Sequence, residues 1–449
     1  IVPGSLPNNL TNLKLHYDYN FPFLKGIFPQ SLKNLVIGNY KNEIQAEILP
    51  SKLESLTLLG YYKFPINSRT FPNTLKELSI SLPSESIEID SIPETLTELT
   101  LDEYSHPITP GLLPSSITSL DLGNYHLKLI PGAFPSSLES FTFCPQYNIV
   151  IPPGLLPTSL QLVIFGDKFN QVFLPDSLPN SITFIQLGYN YQQKIPPGVL
   201  PTSLSTMRVD CVYPLKMDDP DLVYPKGLRR IIINSEENIT YMIPSTIEYL
   251  RIGSQHATFD YQLPDTLTEL VLPDHFKTPL IGSMLPSSLK RLTLGKPSKE
   301  FTEDLSLSEK LTHLKIYSLK HYLILEEAYA SSFHLVVHKE IPLGVIMALT
   351  QAKRRLKSLS IKVTIPKYHH RRPLNLKSYI VESVAIAFPL VEIIRIGLEV
   401  DDDKQSTIYF KMVDQVNGIE VIRQHQNRYQ LSNDDRLSFH SMRFGYNKV

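Results

Sequence analysis

Several residue types that mark particular protein classes are scarce in this chain. Tryptophan is absent, cysteine occurs twice, and glycine contributes 19 of the 449 residues. Two cysteines cannot build the disulfide framework of a small secreted domain, and no apolar run of about 18 residues offers a membrane-spanning helix. A collagen-like triple helix is excluded because glycine does not recur at every third position. With 42% hydrophobic residues the chain can bury a large core, which excludes global disorder.

Proline, in contrast, is abundant and periodic. The chain has 36 prolines, many of them in one phrase, apolar–Pro–x–x–Leu–x–x–Leu–x–Leu, as in LPNNLTNLKL from Leu6 and LPSSLKRLTL from Leu285. Most copies are spaced by 21 or 22 residues, and a fifteenth copy, LSEKLTHLKI, has Ser308 in place of the proline. This regularity predicts a solenoid of about 15 coils over residues 1–317. The anchoring prolines are Pro7, Pro29, Pro50, Pro72, Pro93, Pro114, Pro135, Pro157, Pro179, Pro201, Pro225, Pro244, Pro264 and Pro286.

The period and the leucine spacing predict the kind of coil. A repeat of about 20 to 29 residues with L-x-x-L-x-L is the signature of a leucine-rich-repeat-like solenoid, a horseshoe with one short parallel β-strand per coil. Alternation such as Leu13-Lys14-Leu15 predicts a strand with one buried face. A proline just ahead of the strand sets a turn without removing a ladder hydrogen bond. The remainder of each coil, such as YNIVIPPG (Tyr147 to Gly154), lacks a 3.6-residue period and predicts a mostly non-helical convex side.

Three copies of the phrase continue furthest into a common pattern. They are LPSSITSLDLGNYHLKLIPGAFP (Leu113 to Pro135), LPTSLQLVIFGDKFNQVFLP (Leu156 to Pro175) and LPNSITFIQLGYNYQQKIPPGVLP (Leu178 to Pro201). These units resemble the repeats of FNIP-repeat proteins of social amoebae and giant amoebal viruses, and the resemblance covers roughly residues 1 to 317. It implies a leucine-rich-repeat-like fold and protein–protein interaction. Some members of that family carry an F-box or a protein kinase domain, and neither is evident here.

Residues 318–449 differ from the repeats in composition and periodicity. They hold four prolines and a net charge of +6, whereas residues 1–317 carry −7. Strand-like runs occur at residues 333–337, 358–363 and 391–398, followed by two more, STIYFKMV and IEVIRQ, around a turn. We therefore expect β-α-β-α-β and a hairpin, forming an α/β C-terminal cap that either continues the solenoid or closes it as a small domain. Residues at helical spacing are Val345, Leu349, Ala352 and Leu356, and then Leu376, Ile380, Val384 and Phe388.

Residue patterns that carry catalysis or cofactors are missing from the sequence. No phosphate-binding glycine loop, metalloprotease helix, serine-nucleophile elbow or kinase motif set is found. Cys144 and Cys211 lie three strand spacings apart, about 14 Å, which is too far for a disulfide and favours two buried, reduced thiols. We therefore expect a protein that is not an enzyme, uses no cofactor or metal, and lies in the cytoplasm. Basic groups at residues 353–357 and 367–372 do not match a nucleic-acid motif, so a nucleic-acid partner is disfavoured.

Without catalytic motifs, we look for the function in the side chains of the surface. The repeat indicates which of them share the concave face. Counted from the first leucine of L-x-x-L-x-L, positions +2, +4 and +6 project away from the core. Acidic residues at these positions in coils four to six are Glu77, Glu98, Asp102 and Asp121. Apolar ones in coils eight and nine are Leu162, Ile164 and Phe184. Basic ones from coil ten onward are Arg208, Arg230, Arg251, Arg291, His313 and Lys315.

This acidic–apolar–basic gradient supports one function over its alternatives. We interpret the chain as a non-catalytic scaffold that binds a protein partner, not a small-molecule substrate, along its concave β-face. Alternatively, the gradient is a solvated surface whose charges have drifted. A second functional hypothesis is a substrate-recruiting or regulatory module of a larger F-box ubiquitin-ligase or kinase protein, and a third is a secreted or structural repeat protein. The start at Ile1, in the middle of a coil, favours a processed product or a fragment.

Overall fold

The computed structural model of the protein describes residues 1–210, 223–234, 243–255, 263–277, 285–295 and 311–316, and the strands at residues 332–337, 356–365, 391–400, 404–414 and 418–423. The chain divides into two compact units, Ile1–Ser235 and Glu236–Val449. Each unit is built on its own run of hydrogen-bonded strands. The predicted boundary between residues 317 and 318 stays a prediction.

The first unit is a parallel β-solenoid. Its strands pair in chain order, each in parallel with the next, and each falls on one copy of the repeated phrase. One short strand per coil was the prediction, and it is confirmed. The strands are β1 (Asn12–Lys14), β2 (Asn34–Ile37), β3 (Ser55–Tyr61), β4 (Glu77–Ser81), β5 (Glu98–Asp102), β6 (Ser119–Asp121), β7 (Ser140–Thr142), β8 (Leu162–Ile164), β9 (Phe184–Leu187), β10 (Thr206–Val209) and β11 (Arg230–Ile233).

The anchoring proline makes the turn that starts each strand. In the second coil the Pro29 carbonyl accepts a hydrogen bond of 3.1 Å from the Leu32 backbone N–H, and the same bond recurs from coil to coil. Leu32 is the first leucine of its phrase and is completely buried. Because proline supplies only its carbonyl to this turn, its missing N–H costs nothing there. The turn therefore places the first leucine in the core and the strand directly behind it.

A second feature of the phrase connects neighbouring coils. In most coils the residue just before the first leucine is serine or threonine, and its hydroxyl donates to the carbonyl of the first leucine or isoleucine of the preceding coil. Ser137 donates to Ile117 at 2.7 Å and Ser181 to Leu160 at 2.6 Å. This hydroxyl satisfies a carbonyl that would otherwise lie between two coils without a partner. The other donors of this kind are Ser31, Thr74, Thr95, Ser116, Ser159, Ser203, Thr266 and Ser288.

The chain that returns from one strand to the next is extended, and the described residues contain no helix. This confirms the predicted non-helical side of the coil. Without a helix, backbone N–H groups of this stretch need other acceptors. Buried tyrosines supply them, because the hydroxyl of each accepts a hydrogen bond from a backbone N–H group of the preceding coil. Tyr40 accepts from Phe23 and Tyr62 from Ile44, both at 3.0 Å. Tyr104 and Tyr125 repeat the arrangement at 3.2 Å.

Asparagines support the same stretch of the coil from its exposed side. The Asn148 side-chain carbonyl accepts from the Asn170 N–H at 2.9 Å, and the Asn170 carbonyl accepts from the Gln192 N–H at 2.9 Å. Asn170 follows Phe169, which is fully buried and stacks on Tyr191 with ring centroids 6.1 Å apart. In this Phe-Asn pair, Phe169 fills the core, and Asn170 accepts a hydrogen bond from a backbone N–H group of the next coil.

The second unit has the same parallel order in its described strands and ends in antiparallel ones. β12 to β18 pair in parallel and in chain order, β19 pairs antiparallel with β18, and β20 antiparallel with β19. The predicted tail strands and hairpin are thereby confirmed. The strands are β12 (Tyr249–Ile252), β13 (Glu269–Val271), β14 (Arg291–Leu294), β15 (His313–Ile316), β16 (Ser332–Val337), β17 (Leu356–Ile365), β18 (Val391–Val400), β19 (Lys404–Asp414) and β20 (Gly418–Arg423).

One residue of the predicted tail helices belongs to a strand. Leu356, which shares a helical spacing with Val345, is the first residue of β17 and lies in register with Val391 of β18. Here the hydrogen bonds to the neighbouring strand decide the local structure, and the 3.6-residue spacing of apolar residues does not. Lys357, from the predicted basic group, lies in the same strand. The remaining positions of the two predicted helices, the basic residues 367–372 and Cys211 lie outside the described residues.

Candidate protein-interaction face

The open sheet face of the first unit is the side of β1 to β11 formed by strand residues that alternate with the buried leucines. In β4, Leu78 and Ile80 are buried while Glu77 is exposed and Ser79 half-buried. The other strands repeat this alternation because successive side chains of a strand point to opposite sides. Parallel register then aligns equivalent positions into columns, of which the +2 and +4 columns contain most of the residues proposed from the sequence.

Glu77 and Glu98 form an acidic pair on this face. They lie opposite each other in the register of β4 and β5, and both are exposed. Their register neighbours, Ser55 on β3 and Ser119 on β6, are uncharged. Two carboxylates on adjacent strands at one level repel each other, so this pair lowers the stability of the folded sheet. A partner with a cation at this place would relieve that repulsion.

Asp102 and Asp121, predicted from the sequence to face a partner, each bind a backbone N–H group as well. Asp102 Oδ1 accepts from the Asn124 N–H at 2.9 Å, and Asp121 Oδ1 accepts from the Gly123 N–H at 2.8 Å. Both carboxylates are half-buried where the chain leaves the sheet. Their oxygens satisfy backbone donors of the bend after β6. Their part in partner binding stays a prediction.

The largest apolar side chains of the +2 and +4 columns adjoin arginines in a set that we name the β8–β11 patch. In the +2 column, Leu162 lies in register with Phe184, Phe184 with Thr206, and Thr206 with Arg230. The +4 column runs beside it in the same order of strands. The patch comprises Leu162, Ile164, Phe184, Gln186, Thr206, Arg208, Arg230 and Ile232, all half-buried except Arg230, which is exposed.

Arg208 is oriented by a residue that sequence reasoning missed. Its Nε donates to Asp210 Oδ1 at 3.0 Å, while the side-chain amides of Gln186 and Asn234 donate to the same carboxylate at 2.8 and 2.7 Å. The Asp210 side chain is 18% exposed and that of Arg208 40%. The signal available in the sequence was an aspartate at +6 directly beyond an arginine at +4, where two side chains of one strand point the same way.

The guanidinium groups of Arg208 and Arg230 do not lie one above the other. The register partner of Arg208 is Ile232, and that of Arg230 is Thr206. The two arginines therefore occupy neighbouring columns on adjacent strands and flank a common surface diagonally.

Comparison with known proteins identifies the repeat. The family described as FNIP Repeat matches residues 1–40, 84–125, 169–208 and 260–297. The chain carries FNIP repeats. This confirms the resemblance drawn from the sequence, and the third match contains Phe184, Gln186, Thr206 and Arg208 of the patch. No curated protein matches the chain.

Solved structures that resemble these FNIP repeats are leucine-rich-repeat proteins. CroV588, described as a novel circular LRR protein, superposes with a TM-score of 0.56 and 24% identity, covering 81% of this chain and 54% of its own. The chain therefore spans about half the length of CroV588. YopM from Yersinia enterocolitica WA-314 has a TM-score of 0.38 and 20% identity, with 69% of each chain covered. At these identities the likeness to CroV588 shows the fold: a leucine-rich-repeat-like solenoid.

The repeats of the second unit contain the remaining predicted cations. Arg251 is in register with Val271, and Lys315 with Thr293, so each has an uncharged neighbour in its column. Arg291 lies between Glu269 and His313, and its Nη1 is 3.5 Å from Glu269 Oε2. Glu269 thus offsets part of the basic charge that the sequence predicted for this region.

Neither a metal-binding cluster nor an activated thiol is found among the described residues. In the part of the chain that the structure describes, no group of three or more His, Cys, Asp or Glu residues could hold a metal ion. Cys144 is a buried free thiol whose pKa is raised by that burial, which keeps it protonated and unreactive. Within the same described ranges, no helix is long and apolar enough to cross a membrane.

Proposed function

We propose that this protein is a non-catalytic scaffold that binds another protein through the open sheet face of its first unit. The observation that carries the proposal is the β8–β11 patch. Equivalent positions of β6 and β7 have small polar residues such as Ser119 and Ser140, whereas β8 and β9 place Leu162 and Phe184 there. Large apolar side chains next to arginines are typical of the energetically important centre of protein interfaces.

The size of the face supports the same function. Eleven strands at about 4.8 Å each give a surface about 50 Å long, which accommodates the roughly 800 Å² per partner of a standard interface. Repeat solenoids of the leucine-rich kind are typical of interaction scaffolds, because neighbouring coils present one continuous surface. The adjacent carboxylates Glu77 and Glu98 would favour a partner that places a cation at that end of the face.

The proposal is tested by two apolar-to-acidic substitutions in neighbouring coils, one on the open sheet face and one outside it. Phe184→Asp changes the patch, while Val172→Asp changes an exposed valine in the connection between β8 and β9, outside the open sheet face. Wild type and both variants are immobilised and exposed to native lysate, after circular dichroism has shown that they fold alike. We expect Phe184→Asp to lose specific partners that Val172→Asp keeps. Identical partners for all three would refute binding through this face.

A further inference from the structure

From β3 to β9 the charged side chains of the +2 and +4 columns are all acidic. They are the carboxylates of Glu77, Glu98 and Asp121, and no lysine or arginine occupies either column in these strands. Residues 77–139 as a whole contain ten aspartates and glutamates against one lysine, Lys128. A cationic group of a partner would therefore be attracted to this part of the open sheet face.

The acidic pair is able to receive such a cation. Glu77 and Glu98 are exposed and lie opposite each other on adjacent strands. Among the described residues, neither carboxylate has an ion-pair or hydrogen-bond partner, whereas Glu54 of the preceding coil is held between Lys33 and Lys76. A lysine or arginine side chain between two adjacent carboxylates can donate to both, because each of these cations carries several N–H donors.

The apolar end of the β8–β11 patch lies at a fixed distance from the acidic pair. Leu162 and Phe184 share the +2 column with Glu98 and follow it by three and four strands. At about 4.8 Å per strand these separations are roughly 14 and 19 Å. The two strands between them place Ser119 and Ser140 in the same column, and these small side chains let the main chain of a partner lie close to the sheet.

We propose that the partner binds as an extended segment, with a lysine or arginine on the acidic pair and an apolar side chain on the apolar end of the β8–β11 patch. The apolar contact with Leu162 and Phe184 anchors the segment, and the charges decide which segment fits. At about 3.3 Å per residue, the basic and the apolar residue are about four to six positions apart. This inference rests on the proposed function and adds the chemistry of the partner.

Selection from a phage-displayed library of random dodecapeptides on the immobilised full chain tests the inference. We expect enriched peptides to contain a lysine or arginine about four to six positions from a large apolar residue, in either order along the peptide. Phe184→Ser, which copies the serine at this position of β6 and β7, is the counter-selection target because it removes part of the apolar end. Enrichment of peptides that lack a basic residue, or of none above background, would overturn the inference.

A double-mutant cycle with an enriched peptide then locates its basic residue. Glu98→Gln in the protein, and exchange of the basic residue for glutamine in the peptide, should each weaken binding about three- to tenfold, and the two together should weaken it little further. Glu98→Gln removes one of two carboxylates that repel each other and should not destabilise the sheet, so its loss of binding is not a folding defect.

The matched control for the cycle is Glu88→Gln, which removes an exposed carboxylate in the connection after β4, outside the open sheet face. This variant should bind the peptide as wild type does. Additive losses in the cycle, or an equal loss in Glu88→Gln, would contradict the assignment of the basic residue to the acidic pair.

Failure of this inference is distinguishable from failure of the proposed function. If Phe184→Asp loses its partners from lysate while the peptide cycle shows no coupling, the face binds a protein by other chemistry. If Phe184→Asp retains every partner, the proposed function itself fails. The peptide measurements decide the first case and the lysate measurement the second.

Discussion

Individual residues of the repeat have separable tasks, and the Pro-x-Ser/Thr-Leu segment shows this best. The proline carbonyl closes a turn onto the leucine N–H, the leucine fills the core, and the hydroxyl between them binds the preceding coil. The residue directly after the proline takes part in none of these three interactions. Two serines side by side can therefore differ in importance, as Ser136 and Ser137 do, because Ser136 is exposed while Ser137 is half-buried and donates to Ile117.

Ser137→Ala should destabilise the first unit by about 1 kcal/mol, because the Ile117 carbonyl loses a hydrogen bond in a partly buried place. Ser136→Ala is the matched control and should change the stability by less than about 0.5 kcal/mol. Urea unfolding followed by circular dichroism measures both. Equal effects for the two serines would show that the hydroxyl bond between coils contributes nothing.

The buried phenol of Tyr62 should make the folded protein less stable at alkaline pH. Burial raises the pKa of Tyr62 from its ordinary 10.0 to about 12, so its neutral form is favoured in the folded protein. The stability due to this group is present below pH 10 and is lost as the pH rises towards 12. Tyr62→Phe should make unfolding less pH-dependent between those values, while costing about 1–3 kcal/mol at neutral pH because the Ile44 N–H loses its acceptor.

The control for the loss of a hydroxyl is the neighbouring Tyr61, which is 52% exposed. Tyr61→Phe should leave the stability at neutral pH as it is in wild type. Thermal unfolding at several values of pH measures the slope of stability against pH. An unchanged slope in Tyr62→Phe would mean that the buried phenol does not limit the alkaline stability.

At the scale of elements, stability depends on how closely one coil approaches the next. A Cβ atom at Gly166 would overlap the Cys144 carbonyl of the preceding coil, and one at Gly188 would overlap the Gly166 carbonyl. Both glycines occupy the +6 position, where the chain leaves the sheet. At Gly154 there is open space instead, and glycine is favoured because φ is +76°. The two kinds of glycine should therefore respond differently to alanine.

Gly166→Ala should destabilise the first unit by about 3 kcal/mol, since the added methyl group forces two coil backbones apart. Gly154→Ala should cost about 1 kcal/mol, the penalty of a left-handed backbone conformation for alanine. Chemical unfolding of both variants makes the comparison. A larger loss at Gly154 than at Gly166 would contradict the packing distance between the coils.

The pairing of β4 and β5 leads to a prediction in the stabilising direction. Glu98→Gln removes a carboxylate that faces Glu77 and should raise the stability by a few tenths of a kcal/mol, roughly 0.2–1. The gain should shrink at high salt, which screens exposed charges. Glu88→Gln, in the connection after β4, is the control and should show no such gain. A stability decrease in Glu98→Gln would mean that the pair is not repulsive.

The elements of this fold were more predictable than its side-chain roles. The strands could be located because leucines recur at a fixed spacing, and the turns because proline restricts its own φ. The role of Asp102 and the contacts of Asp210 with Gln186 and Asn234 depend on atoms of other coils and could not be read from spacing. The tyrosine acceptors were missed although Tyr40 and Tyr62 recur at the repeat period. Leu356 was assigned to a helix because a short apolar spacing fits both helix and strand.

At the scale of the whole molecule, the repeat separates stability from recognition. The residues that build each coil point inward or towards the next coil, so the outward positions of the strands are free to vary. They vary along the first unit from the carboxylates of β4 and β5, through the apolar side chains of β8 and β9, to the arginines of β10 and β11. A scaffold can in this way change its partner without changing its fold.

Photo-crosslinking in native lysate tests the central claim most directly, because it records what touches a chosen residue. A photoreactive phenylalanine derivative replaces Phe184 in one protein and Val172 in another, and both full chains are irradiated under the same conditions. The account predicts a discrete crosslinked partner from position 184 that is missing from position 172. Crosslinks from position 172 alone, or the same products from both positions, would contradict binding through the open sheet face.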